Sequence, residues 1–563
     1  MSQRISDYEG NSSKGNRSSM QPLLLALVLL VGILLGFTIS GGEFVTMNSS
    51  SPENPNKLVQ IINEIDANYV DSVERKVLVD GAINSILENL DPHSYYISSE
   101  EYQSVKERMQ GNFEGIGVEF IIQEDTLRVV NALSGGPSEK AGILPGDKII
   151  TVEGESITGE VLTSEYVMDK LKGPKGSKVN LAIRRTGESD LLDFELKRDR
   201  IPIHSVVASF MVAPKVGYVK VSQFAATTYR EFFEDVVDLR EEGAKSLIMD
   251  LRGNTGGYLD QATNMIQEFL DEDKLMVYTE GRTSPRQMDF SRKKGKFRNM
   301  EVVILLNQGS ASASEVVAGA LQDWDRALTV GRRSFGKGLV QNEFNLGDES
   351  AIRLTVARYY TPTGRCIQKP YGEDVDYGSD YHDRYSSGEL MSADSIAYDE
   401  EFKFNTPAGR VVYGGGGITP DVFVSIDTVG SSGYLNELSY NGLLREYGFI
   451  YSNANRKDLE KIADVESFTK TWEADEEFLN AFITYAEKRE VDYIDSDFQS
   501  SKDVIAERLK AYVARNIFED EAFYFVELQS DKDFLEALRV AQDYKDVFAS
   551  LLGEGEALSQ LGE

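Results

Sequence analysis

The sequence predicts a multidomain α/β protein, with a helical preface, a small β-rich domain, a layered α/β core and a helical, acidic C-terminal region. Three observations predict it. Apolar residues recur at helical spacing early in the chain, at Leu58, Ile61, Ile62, Ile65 and Tyr69. Short alternating segments broken by Gly and Pro turns follow from about Gly111. From about residue 216, strand and helix patterns alternate, which implies layers packed on a sheet. At 563 residues the chain is too long for one ordinary core.

The preface continues with a helix from Val77 to Leu90 that stops at Asp91-Pro92. In the β-rich domain, Gly115 to Phe120, Leu127 to Val130, Lys148 to Val152, Val179 to Arg184 and Leu191 to Leu196 read as strands. In the core, strands at Val216–Val221, Ser246–Leu251 and Val302–Leu306 alternate with helices at Tyr229–Glu241, Leu259–Phe269 and Ala313–Leu321. Beyond about 430 the chain reads as helices, with candidates at Asp458–Ala463, Glu476–Lys488, Lys502–Val513 and Asp533–Leu551. The expected boundaries are 1–21 for a cytoplasmic N-terminus, 22–40 for a membrane anchor, 41–56 for a linker, 57–110 for the preface, 111–200 for the β-rich domain, 201–428 for the core and 429–563 for the C-terminal region.

Composition excludes several functions. Lys and Arg total 59 against 92 Asp and Glu, a net charge of −33. So acidic a surface repels phosphate backbones and argues against nucleic-acid binding. Cys366 is the single cysteine, so intrachain disulfides and Cys-based zinc sites are excluded; the Ser–Lys chemistry read below needs no metal or nucleotide, so no cofactor is expected. Pro22 to Ile39 carries no charge, with Arg4, Lys14 and Arg17 before it and only acidic residues, Glu43 and Glu53, just after. That pattern predicts a single-pass inner-membrane anchor with the rest of the chain on the periplasmic side. A cleaved signal peptide is the alternative.

The chemistry is concentrated in two segments. Asn307 to Glu315 joins a buried strand to a helix and holds Ser310, Ser312 and Ser314. A serine at such a turn projects from the sheet edge, and the helix N-terminus supplies free N–H groups for an oxyanion. The competing role is a Ser-rich helix cap. The chain has three histidines, His93, His204 and His382, and none lies in a motif-like context, so a Ser–His–Asp triad is disfavoured. A lysine kept neutral by burial is the alternative base. Lys337 stands between Gly336 and Gly338, and on an extended segment Lys337, Leu339 and Gln341 face one side, so Gln341 can hold the amine. A phosphate loop is disfavoured because Gly338 replaces the required Ser or Thr and a strand pattern follows.

With these segments in view, residues 55–425 resemble the C-terminal processing peptidases, or tail-specific proteases. The resemblance rests on Ser310-Ala311-Ser312-Ala313-Ser314-Glu315, on Ser334-Phe335-Gly336-Lys337-Gly338-x-x-Gln341 and on their spacing. It implies a PDZ domain followed by a crotonase-like α/β protease core. It assigns Ser312 as nucleophile, Lys337 as general base and Gln341 as its orienting amide. It also implies an oxyanion hole from the N–H of Ala313 and of Gly256 or Gly257, both choices open; the family often has Asn where Gly253 stands. Gly115, Ile116, Gly117 and Val118, with Pro145-Gly146-Asp147-Lys148-Ile149, resemble the peptide-binding loop and turn of a PDZ domain, which would take substrate C-termini as an added strand. The expected partners are protein or peptide substrates, the membrane, and a second copy or an adaptor bound by the C-terminal region. Two rival readings stand beside this one: an inert PDZ-containing binding protein, and a small-molecule hydrolase on a crotonase-like core.

Overall fold

The structure, a computed structural model, describes residues 56–123, 125–159, 162–372 and 375–552. The chain divides into two compact units, Met1–Gly81 and Ala82–Glu563. In the first, the helix Asn56–Asn68 buries none of its residues. The second begins inside the helix Arg75–Leu87 and holds everything discussed below.

The single-pass inner-membrane placement is corrected. Among the described residues no helix is long and apolar enough to cross a membrane. The apolar run at 22–40 that prompted the expectation lies outside the described residues.

The β-rich domain is an antiparallel sheet in the order Val118–Gln123, Thr126–Ala132, Lys148–Val152, Lys178–Arg184, Leu192–Lys197, with Glu155–Ser156 paired to the third strand. Its core collects Leu127, Val129, Ile149, Leu181 and Ile183 beneath Val167 and Leu171 of the helix Ser164–Leu171. The strand expected from Gly115 to Phe120 is broken. Asn112–Gly115 pairs instead with Asp199–Pro202, where the chain enters and leaves the domain. Gly117, at φ +73, turns the backbone between the two strands, a conformation that a side chain resists.

The core sheet runs Val206–Ala213, Val216–Val221, Ser246–Asp250, Glu301–Leu306, Ala327–Gly331, Val422–Phe423; the first pair is antiparallel and the rest parallel. Alternate residues face opposite sides. Val219, Val221, Leu247, Met249, Val302, Ile304 and Leu306 pack under the helices Thr228–Glu241, Leu259–Gln267 and Ala313–Asp323. Tyr218, Ile248, Val303, Leu305 and Val330 face the other way, onto Phe534, Ala537, Val540 and Ala541 of the helix Lys532–Gln542. Burial on both faces explains why Val302–Leu306 is uninterruptedly apolar. The acidic tail therefore closes the sheet.

The expected helix over 533–551 is interrupted at Asp543, which caps Lys532–Gln542 before Tyr544–Leu552 begins. Between 433 and 527, helices including the 24-residue Asp495–Phe518 enclose a separate core around Leu438, Phe468, Phe482, Ile505 and Leu509. This bundle grips the β-rich domain through Arg515 and Glu119, 3.1 Å apart. A second sheet, ordered Tyr95–Ile97, Ala351–Tyr360, Leu275–Glu280, Gln287–Phe290 with Leu339–Asn345 also on Ala351–Tyr360, carries the lysine segment.

Candidate active site

The strand Glu301–Leu306 delivers the chain to a tight turn that ends at Ser312, the N-cap of the helix Ala313–Asp323. The three serines separate here by their surroundings. Ser310 and Ser314 are fully buried, and their hydroxyls donate to Leu251 O and Asn254 O, each at 2.9 Å. Ser312 is half-buried and its hydroxyl is not committed to either carbonyl. Its backbone sits at φ +56, ψ −115, a conformation an L-residue holds only when its surroundings impose it.

Glu315 imposes it. This carboxylate is fully buried one turn into the helix and takes four donors. Ser312 N–H (2.8 Å) and Lys337 N–H (2.9 Å) share Oε2, while Ser334 Oγ (2.5 Å) and Gly336 N–H (2.7 Å) share Oε1. Burial pushes its pKa up to about 7, against those donors, which favour the ionised form. Tyr359 adds a second tie: its hydroxyl faces Ser312 O at 3.1 Å and also hydrogen-bonds Lys337 O.

Lys337 Nζ donates to Gln341 Oε1 at 3.0 Å, and no hydrogen bond joins it to Ser312 Oγ. Gln341 reaches it from beyond a register shift between Val340 and Gln341. Gln341 Nε2 in turn donates to His93 O. Burial, and then the positive charge of Arg353, lower the pKa of Lys337 from the ordinary lysine value. His93 lies beside the site although nothing around it in the sequence marks it. Its Nε2 bonds Tyr377 OH at 2.8 Å, and burial together with Lys337 lowers its pKa to about 4, so the ring is neutral at pH 7. Asp91 holds the turn, taking His93 N–H at 2.9 Å and Ser94 Oγ at 2.6 Å, and it accepts from Thr355 Oγ1 at 3.0 Å.

The Gly-rich turn after Ser246–Asp250 comes against Ser312. A Cβ on Gly256, at φ +102, would lie 2.7 Å from Ser312 Cβ and 3.0 Å from Ala313 N. Gly256 N–H donates to Asn254 Oδ1 at 2.8 Å. Gly257 packs against the backbone of Phe224 instead, where a Cβ would meet Phe224 O at 2.2 Å. Asn254 is fully buried and accepts Ala311 N–H on its carbonyl, lacing the two turns together. Gly253 adopts φ +71, which suits a glycine.

Some distance along the chain, Gly115, Ile116, Gly117 and Val118 line an apolar cavity of about 330 Å³ with Phe120, Met168 and Leu171. The helix Ser99–Gln110 contributes Glu107 and Arg108 to its wall.

These two sites sit in a chain with clear relatives. Residues 215–377 match peptidase family S41, 128–185 match a PDZ domain, 42–101 match the activating protease CtpB N-terminal domain, and 434–519 match a family of unknown function. A carboxy-terminal-processing protease of Bartonella bacilliformis is 37% identical over 313 residues, 55% of this chain and 71% of that protein. The chain belongs to the carboxy-terminal processing protease family. It is therefore a serine-type peptidase, with a PDZ domain, an S41 core and helical regions on either side. Carboxy-terminal processing protease CtpB of Bacillus subtilis is 34% identical over 346 residues, 61% of this chain and 71% of that one. Among solved structures, a photosystem II D1 C-terminal processing protease is 29% identical, covers 56% of this chain and 91% of its own, and gives a TM-score of 0.31.

Proposed function

We propose that this carboxy-terminal processing protease is an endopeptidase that uses a Ser312–Lys337 dyad and takes protein substrates whose C-termini enter the PDZ groove. The observation that supports it most is the shared carboxylate of Glu315, which fixes the backbones of Ser312 and Lys337 to one oxygen.

Neutral Lys337 donates one N–H to Gln341, which leaves its lone pair free for the Ser312 proton. Hydrogen bonds of this kind tighten when substrate binds. As Ser312 Oγ bonds to the peptide carbonyl carbon, its proton passes to Nζ. The oxyanion is stabilised by Ala313 N–H and by Gly256 N–H, the glycine that abuts Ser312, which shares or releases its bond to Asn254. The ammonium then protonates the leaving amine as the C–N bond breaks. A water deprotonated by Lys337 attacks the acyl-enzyme and releases the new C-terminus.

In the PDZ domain, successive N–H groups at Gly115–Gly117 would receive the terminal carboxylate, and the apolar cavity would take the last side chains. The test compares full-length wild type with Ser312→Ala, Lys337→Ala and Val118→Arg on an unstructured protein ending in apolar residues. The first two variants abolish cleavage. The third raises KM for that substrate and leaves cleavage of one lacking the apolar end unchanged. Retained cleavage by Ser312→Ala, or an unchanged KM in Val118→Arg, contradicts the corresponding half of the proposal.

A further inference from the structure

The helix Lys532–Gln542 of the acidic tail reaches the candidate active site through charge as well as through packing. Arg332 immediately follows the strand Ala327–Gly331 and leads into the lysine segment. Its Nη1 and Nη2 donate to Asp533 Oδ1 and Oδ2 at 2.8 and 2.6 Å, and its Nε donates to Gln308 Oε1 at 3.3 Å, in the turn that ends at Ser312. Arg252 lies in the Gly-rich turn. It forks onto Asp250, with Nη2 to Oδ2 at 2.7 Å, and extends Nη1 to Asp531 Oδ1 at 2.9 Å and to Asp533 Oδ2 at 3.3 Å. The side chains of Arg332, Asp533 and Arg252 are only 7%, 9% and 13% exposed. One carboxylate of the tail thus touches, through two arginines, all three segments that build the site.

We propose that Asp533 is a positioning residue for the peptidase reaction. The proposal rests on the Ser312–Lys337 assignment. Asp533 Oδ2 accepts from both guanidiniums, but the two depend on it differently: Arg252 is also paired with Asp250 and Asp531, whereas among the described residues Asp533 is the one carboxylate on Arg332. Without its charge, Arg332 is a buried cation with no counter-ion beside Arg252, and the lysine segment that it leads into shifts away from the Gly-rich turn. The same helix adheres to the sheet through Phe534, Ala537 and Val540 regardless of that charge. Adhesion and positioning are therefore separable by mutation.

The experiment measures kcat, KM and melting temperature of the full chain on an unstructured protein, well below the melting midpoint of each variant. Asp533→Asn keeps the shape and removes the charge. It lowers kcat about 10- to 100-fold, the range that a small misplacement of reacting groups produces, and leaves KM within about threefold. Phe534→Ala lowers the melting temperature yet keeps kcat within about threefold. Gln308→Ala removes only the link from Arg332 to the nucleophile turn and lowers kcat about threefold to tenfold; it decides the matter should Asp533→Asn fail to fold. Wild-type kcat in Asp533→Asn or in Gln308→Ala overturns the proposal, as does a loss of kcat in Phe534→Ala equal to that in Asp533→Asn. Ser312→Ala is run alongside: wild-type cleavage there overturns the site itself and this proposal with it, whereas a dead Ser312→Ala with fully active Asp533→Asn overturns the positioning role alone.

Discussion

The backbone N–H groups of Ser312 and Lys337 donate to the same oxygen, Glu315 Oε2, at 2.8 and 2.9 Å. Ser312 ends the turn after one sheet's strand Glu301–Leu306 and Lys337 precedes the other sheet's strand Leu339–Asn345, so their relative position depends on this carboxylate and on the Tyr359 hydroxyl, which hydrogen-bonds Lys337 O and faces Ser312 O. Glu315→Gln replaces one acceptor oxygen with an NH₂ that faces two donors. Leaving buried donors unpaired costs about 1–3 kcal/mol each. We expect a lower unfolding midpoint and a fall in kcat of about 10²-fold, read from denaturant titration and steady-state cleavage.

Tyr359→Phe removes the hydroxyl and leaves the ring's packing in place. The expected loss is about 1 kcal/mol of stability, with a fall in kcat and little change in KM. A purely packing role for Tyr359 would leave kcat as in wild type.

The pH dependence follows from Lys337. Burial lowers its pKa, so the neutral base is populated at lower pH than in a free lysine, and acylation rises with pH through that lowered pKa. The linkage has the same sign. Between the folded pKa and the ordinary lysine value, the unfolded chain binds more protons than the folded one, so this group makes stability rise with pH across that window. Pre-steady-state acylation rates across neutral and alkaline pH check the first point, and the difference in stability profile between wild type and Lys337→Met checks the second.

Gly256→Ala places a methyl 2.7 Å from Ser312 Cβ and 2.9 Å from Ala311 O, on a backbone at φ +102. Activity is expected to fall by at least about 10²-fold, while PDZ-peptide affinity measured by titration stays at the wild-type value.

Much of this was legible in the sequence. The strand-to-helix turn at Ser312 and the Lys337–Gln341 contact follow from local pattern, and the contact forms even though a register shift lies between them. The uninterrupted apolar run of Val302 to Leu306 marks a strand covered on both faces, but not which segment covers it. Glu315 could not be picked out, because an acidic residue in a helix's first turn is ordinary electrostatics until burial and four donors are seen. His93, Tyr359 and Asn254 contribute through backbone or long-range contacts that leave no local spacing. Asp533 lies 201 residues from Arg332, so only the fold brings that pair together.

The most direct measurement is cleavage of an unstructured protein by the full chain, comparing wild type, Ser312→Ala and Lys337→Ala with folding checked by circular dichroism. The account expects cleavage by wild type and none by either variant, both remaining folded. Equal cleavage by all three would place the chemistry elsewhere and contradict it.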